Sequence, residues 1–227
     1  MSTNYRLVIL MGPPAVGKGT LASKVVSKLN FLAISTGQVL REQISDKTDL
    51  GLSIKQIIDK GGLVSDTLIN TLVSTWFYTH YNDNLKIMLD GYPRTLAQAV
   101  YLVELLQNKK ILAESVVYVL EAAIEVVKQR MLGRIICPNK KCGKIYSKKF
   151  ISHSVCEVCG ALLDKRADDT LDVVSARLDE YFRVKQEIID YFISNGLKII
   201  ILETSVKTEE EVFADFKINV YDEKVRN

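Results

Sequence analysis

Between Gly12 and Thr20 the chain reads Gly-Pro-Pro-Ala-Val-Gly-Lys-Gly-Thr. Small residues here let successive backbone N–H groups turn toward one point. A helix starting behind them adds partial positive charge, and Lys18 can reach outward. Such a loop binds anions, above all the phosphates of a nucleotide. Gly19 follows Lys18, and the Thr20 hydroxyl comes one place late. Thr20 is therefore not read as a direct magnesium ligand, although the anion cradle stands. The plainer alternative is a strand–helix turn with a surface lysine.

A second group lies in Leu89-Asp90-Gly91-Tyr92-Pro93-Arg94. Asp90 closes an apolar run, so it should project beyond a strand's carboxyl end, where α/β proteins bind ligands. A carboxylate there can hold the water shell of magnesium, and an arginine can clamp phosphate with two parallel hydrogen bonds. A polar turn with Asp90 as a helix cap is the competing reading. Lys18 and Arg94 suit a crevice that gathers negative oxygens, because a guanidinium matches phosphate and keeps its charge.

The four cysteines, Cys137, Cys142, Cys156 and Cys159, all fall in one short stretch. Two close pairs of thiolates can converge on a tetrahedral ion, the closed coordination of structural zinc. Iron could occupy the same sulfur cage. His153 is near enough in sequence to be a ligand, but four thiolates make it an exposed loop residue; His80 is read as structural.

These groups require a frame. Apolar runs at Tyr5–Met11, Phe31–Ile34, Lys86–Leu89, Ser115–Leu120 and Leu197–Leu202 alternate with helical periods at Gln38–Ser45, Ile54–Lys60, Thr67–His80, Leu96–Gln107 and Ala123–Leu132. A further helix carries Leu21, Val25, Val26 and Leu29, and a long amphipathic one runs from Leu171. The alternation predicts a parallel sheet with helices on both faces. Ile135 to Lys165 is too long for an ordinary connection and reads as an insertion with its own staple. Hydrophobic residues make up 48% and charged ones 25% of 227 residues, which fits one globular α/β domain with an inserted subdomain. A net charge of +3 is far from the basic stripe of a nucleic-acid binder. No apolar run approaches the ~20 residues that span a bilayer, and no leader is visible, so a cytoplasmic protein is expected.

With these motifs in place, the chain resembles bacterial adenylate kinases of the long-lid type from about Leu7 to its C-terminal helix. The loop is similar to the family's Gly-x-Pro-Gly-x-Gly-Lys-Gly-Thr. Ser35-Thr36-Gly37 with Arg41 is similar to its Ser-Thr-Gly-Asp-x-x-Arg, and Asp90-Gly91-Tyr92-Pro93-Arg94-Thr95 with Gln98 matches a specific signature. Gly62-Leu63-Val64 followed by Asp66 looks like the segment that holds the AMP base. Arg130 and Arg134 resemble the arginines leading into the lid; Arg166-Ala167-Asp168-Asp169 and Arg177 resemble those leading out.

The resemblance implies a P-loop NTPase-type core (1–134 and 168–227), an AMP-binding helical segment (35–65) and a zinc-bearing lid (135–167). It implies phosphoryl transfer from ATP to AMP giving ADP, with magnesium and structural zinc, in a monomer. Lys18, Asp90, Arg94, Arg130, Arg134, Arg166 and Arg177 would be catalytic. ATP would meet Ala15, Val16, Gly17, Lys18, Gly19, Thr20, Arg134, Ile145, Tyr146 and Lys207. AMP would meet Thr36, Arg41, Gly62, Leu63, Val64, Gly91, Tyr92, Pro93, Arg94, Gln98, Arg166 and Arg177, with Thr36 and Gln98 addressing adenine. The chain departs from the pattern at Ala15 and Leu21, at Gln38 where an acid is common, and in the four residues between Cys137 and Cys142. Other readings stay open: a GTP donor, a pyrimidine acceptor, or a zinc-ribbon nucleic-acid binder using Lys140, Lys141, Lys144, Lys148 and Lys149. A non-catalytic adenylate sensor would need a broken arginine set, and the set is complete.

Overall fold

A computed structural model describes residues 5–59, 64–82, 85–139, 142–148, 151–165 and 170–221. Five parallel strands form the central sheet: β1 (Leu7–Met11), β2 (Phe31–Ser35), β3 (Lys86–Asp90), β4 (Ser115–Glu121) and, late in the chain, β8 (Lys198–Glu203). Their order is β2-β3-β1-β4-β8. β1 is buried along its whole length because it sits mid-sheet with helices on both faces. Leu7, Ile9 and Met11 pack with Phe77, Leu102, Leu106 and Phe192, whereas Val8 and Leu10 pack with Val25, Phe213 and Phe216 on the other face. Each such side chain contributes about 1.5–3 kcal/mol relative to exposure.

Six helices cover the first half and the C-terminus of the sheet: α1 (Lys18–Leu29), α2 (Thr36–Ser45), α3 (Asp49–Asp59), α4 (Asp66–His80), α5 (Leu96–Asn108) and α8 (Glu209–Tyr221). α3 starts earlier than the apolar periodicity predicts, because Thr48 caps it by accepting from the Gly51 N–H at 3.0 Å. Gly51 looks like a helix breaker in sequence. It is there for space: a Cβ on it would lie 1.9 Å from the Gln43 carbonyl, where α3 crosses α2.

α6 (Ile124–Leu132) and the long α7 (Leu171–Ser194) are joined by a small core of Val127, Met131, Val174 and Leu178, with Ala15 packed against it. Phe182 is 45% exposed although it keeps the apolar spacing of Val174, Leu178 and Ile188 on α7. Between these helices a second, antiparallel sheet of order β6-β5-β7 comprises β5 (Arg134–Ile136), β6 (Ile145–Ser147) and β7 (Asp164–Lys165). Strands this short carry too little periodicity to be seen in sequence. Among the described residues no helix is long and apolar enough to cross a membrane.

Candidate functional site

The carboxyl ends of the parallel strands meet at one edge of the sheet, and chemistry-bearing residues cluster there. The loop after β1 bends tightly. Gly12 (φ 146°) passes the end of β4 so closely that a Cβ would lie 2.6 Å from the Leu120 carbonyl. Only glycine fits. Ala15 takes a left-handed φ of 57°, a strained value for alanine, while packing beside the α6–α7 core. Gly17 (φ 113°) then caps α1.

Lys18, the first residue of α1, folds back along the loop and donates to the carbonyls of Gly12 (2.7 Å) and Pro13 (2.8 Å). Burial lowers its pKa to about 8, and the guanidiniums of Arg94 and Arg134 push the same way against the attraction of Asp90. The loop, the end of β3 and the start of β5 therefore share one electrostatic neighbourhood. Ile145 on β6 also reaches over the loop; its Cδ1 lies 3.7 Å from where a Cβ on Gly19 would stand.

On the facing wall, Asp90 ends β3, in register with Leu10 and Ser35. Arg94 Nε (2.8 Å) and the buried Thr36 hydroxyl (2.9 Å) both donate to the Gly91 carbonyl. Two guanidiniums converge over Gly37: a Cβ on it would be 3.1 Å from Arg41 Nη1 and 3.4 Å from Arg94 Nη2. Behind them, Gln98 accepts from the Arg94 N–H (2.8 Å) and donates to Asp66 (2.7 Å), which also receives the Thr95 hydroxyl (3.0 Å). The Tyr92 side chain is buried and its hydroxyl donates to Asn70 at 2.6 Å, so only its backbone faces the cleft.

The family profile described as adenylate kinase matches residues 10–197. An adenylate kinase of Clostridium tetani is 38% identical over 209 residues, covering 91% of this chain and 94% of the relative. One from Thermoanaerobacter sp. (strain X514) is 39% identical over 214 residues (92% and 95%), and one from Methanosarcina barkeri 37% over 215 residues (92% and 96%). The chain belongs to the adenylate kinase family.

Within this adenylate kinase fold, α6 brings a further arginine to the loop after β1. Arg130 donates to the Val16 carbonyl (3.3 Å) and to the Thr204 hydroxyl (3.3 Å) and carbonyl (2.6 Å). Arg177 is half-buried on α7, one turn past Val174 of the small core. Val64 packs at the margin of the main core. Lys207 forms an ion pair with Asp215 at 2.5 Å, which raises its pKa. Gly62, Leu63, Lys140, Lys141, Lys149 and Arg166 to Asp169 lie outside the described residues.

The four cysteine sulfurs of this adenylate kinase lie within 4.8 Å of one another, with Cys137–Cys159 at 3.3 Å and Cys142–Cys156 at 3.6 Å. Four 2.3 Å metal–sulfur bonds in a tetrahedron would space the sulfurs by about 3.8 Å, so this donor set fits one thiophilic ion. The Tyr146 side chain is packed against this cluster. Its hydroxyl lies 3.2 Å from Cys156 Sγ and pulls that thiol down to about 6. His153 packs edge-on against Tyr146, outside the sulfur cluster. Thr204 was not singled out in sequence, although its place just past an apolar strand is the same signal that marked Asp90.

Proposed function

We propose that the chain transfers the terminal phosphoryl group of magnesium-bound ATP reversibly to AMP, giving two ADP. The observation that carries this reading is that the tight glycine loop after β1, which holds Lys18 against its own carbonyls, opens at the same sheet edge as the paired guanidiniums of Arg41 and Arg94 over Gly37. Cations so gathered suit a ligand that brings several negative oxygens. An AMP phosphate oxygen bonds to the γ-phosphorus as the bond to the β–γ bridging oxygen breaks, and one ADP leaves as the other forms. The protein has little covalent work to do, so positioning and positive charge supply most of the catalysis.

In this reading the Gly12–Thr20 loop with Lys18 holds the donor phosphates, and Arg41 and Arg94 hold the acceptor phosphate. Arg130, Arg134, Arg166 and Arg177 neutralise the charge in transit. Thr36 and Gln98 meet the acceptor adenine: the hydroxyl proton of Thr36 is committed to Gly91, leaving it as an acceptor for an exocyclic amino group. Asp90 offers the hard oxygen that would hold a magnesium-bound water, and magnesium when bound would supply positive charge to the phosphates.

The reading extends to a structural zinc held by the four cysteines. A lid core built on Cys137, Tyr146 and Cys156 is too small to stand alone, and modules of that size usually need a metal or disulfides. Free thiols fit a reducing, cytoplasmic setting, and a monomer acting on free nucleotides is the simplest form consistent with the lack of a basic stripe. The test is direct: incubate protein, magnesium, ATP and AMP and follow ADP, then replace ATP by GTP and AMP by UMP or CMP. Absence of ADP with the first pair would sink the assignment.

A further inference from the structure

We propose that Thr204 is a positioning residue for the donor half of the site, acting through Arg130 and the Val16 carbonyl to aim one amide of the phosphate loop. The proposal rests on the kinase reading for its substrate and on geometry for its mechanism. Thr204 follows β8 directly and is 2% exposed. Its Oγ1 lies 3.0 Å from both the Val16 and the Glu121 carbonyls, so its one proton is shared between them. The same oxygen accepts from Arg130 Nη1, and the Thr204 carbonyl takes Arg130 Nη2 at 2.6 Å. The Thr204 N–H donates to Glu121 at 2.8 Å, and Ser205 accepts from the Ala123 N–H at 2.8 Å, which fixes the threonine against the end of β4.

The Val16 carbonyl is thus held by a hydroxyl and a guanidinium together. That carbonyl shares a planar trans peptide with the Gly17 N–H, and the two point in opposite directions. Drawing the carbonyl toward Thr204 and Arg130 turns the Gly17 N–H toward the opposite side, into the loop where Lys18 begins α1. Polarising the carbonyl also strengthens the N–H as a donor. A valine would fill the same volume and remove the hydroxyl's share of both effects, the 3.0 Å bond, leaving only the longer 3.3 Å contact from Arg130 on the Val16 carbonyl.

The test compares Thr204→Val with Thr204→Ser, well below the melting temperature of each. The valine variant is expected to raise KM for ATP about tenfold, the scale of a lost hydrogen bond to a charged group. KM for AMP should stay within about twofold, and serine should restore the wild-type value. Independently of turnover, titration with inorganic triphosphate should show the same tenfold loss. The Gly17 amide proton should move upfield in nitrogen–proton correlation spectra of the valine variant and return with serine. Should valine fail to fold, Thr204→Ala carries the same measurements. An unshifted Gly17 amide with unchanged triphosphate affinity overturns the proposal, as does an equal rise of both KM values. Wild-type protein that binds triphosphate but forms no ADP would instead count against the kinase reading.

Discussion

Arg41 and Arg94 bring their guanidinium groups together over the open face of one residue, Gly37, although one arginine sits on α2 and the other on the turn after β3. Like charges held so near one another favour an anion between them, and Arg94 is locked further by its Nε bond to the Gly91 carbonyl. Lysine could keep the charge at position 94 but neither the fork nor that bond. Arg94→Lys is therefore expected to lower kcat/KM for AMP about 100-fold, the scale of one lost transition-state donor. The melting temperature should barely move. Steady-state kinetics with varied AMP, beside a thermal melt, would check both; a fall below about threefold contradicts the assigned role.

Lys18 yields a prediction with an unusual sign. Its pKa is about 8 in the folded protein against 10.5 for a free lysine, so below pH 8 it is protonated at a cost to folding. Between pH 8 and 10.5 the unfolded chain binds this proton and the native one does not, so the cost fades as pH rises. At one pKa unit per 1.36 kcal/mol the cost at pH 7 is about 3 kcal/mol, offset by roughly 1 kcal/mol for each hydrogen bond to Gly12 and Pro13. Lys18→Met should thus stabilise the ligand-free protein by about 1 kcal/mol at pH 7, by less at pH 10, and abolish turnover. Denaturant melts at the two pH values measure the gap. In the wild type, kcat/KM for ATP should fall above pH 8 as the lysine loses its charge.

The lid cysteines separate stability from chemistry. A double substitution, Cys142→Ser with Cys156→Ser, removes one of the two close sulfur pairs, leaves two thiolates where four converge, and should release bound metal. The melting temperature should drop by several degrees, because the lid core has few other apolar contacts. Turnover at low temperature should remain within a few-fold of wild type, since the sulfur cage is closed and leaves no coordination position for substrate. Metal analysis, calorimetry and a low-temperature assay together decide it. Full stability with lost turnover would place the metal in the reaction itself.

What could be read in advance followed from physical strength of signal. The buried run at Leu7–Met11 and the glycines around Lys18 answer to steric rules that leave few alternatives, so sheet and loop were legible. The start of α3 was not legible, because Gly51, which the crossing of α2 and α3 requires, adds no apolar period ahead of Ile54. The strands Arg134–Ile136 and Ile145–Ser147 were too short to display a period. The contact of the Tyr146 hydroxyl with a cysteine sulfur was not legible, because which partner a tyrosine finds depends on packing that no local pattern encodes. Thr204 joins segments distant along the chain, and only the folded sheet edge brings them together.

The Asp66–Gln98 contact carries the last prediction. The two carboxylate oxygens of Asp66 take the Gln98 amide N–H and the Thr95 hydroxyl, so Gln98 must direct its oxygen at the Arg94 N–H. That choice fixes which edge of the amide remains for a base in the acceptor pocket. Asparagine at position 66 has one acceptor oxygen where aspartate has two, and its NH2 faces a donor in one of the two contacts. Asp66→Asn should therefore let the Gln98 amide rotate, raising KM for AMP about tenfold while kcat changes by less than about threefold. Discrimination between AMP and a pyrimidine monophosphate should narrow correspondingly, because a freely turning amide can pair with either pattern of donors and acceptors. The measurement is a matched pair of kinetic series with AMP and CMP. Should the variant retain the wild-type preference while losing only thermal stability, Asp66 would be a structural latch and Gln98 would owe its orientation to another contact.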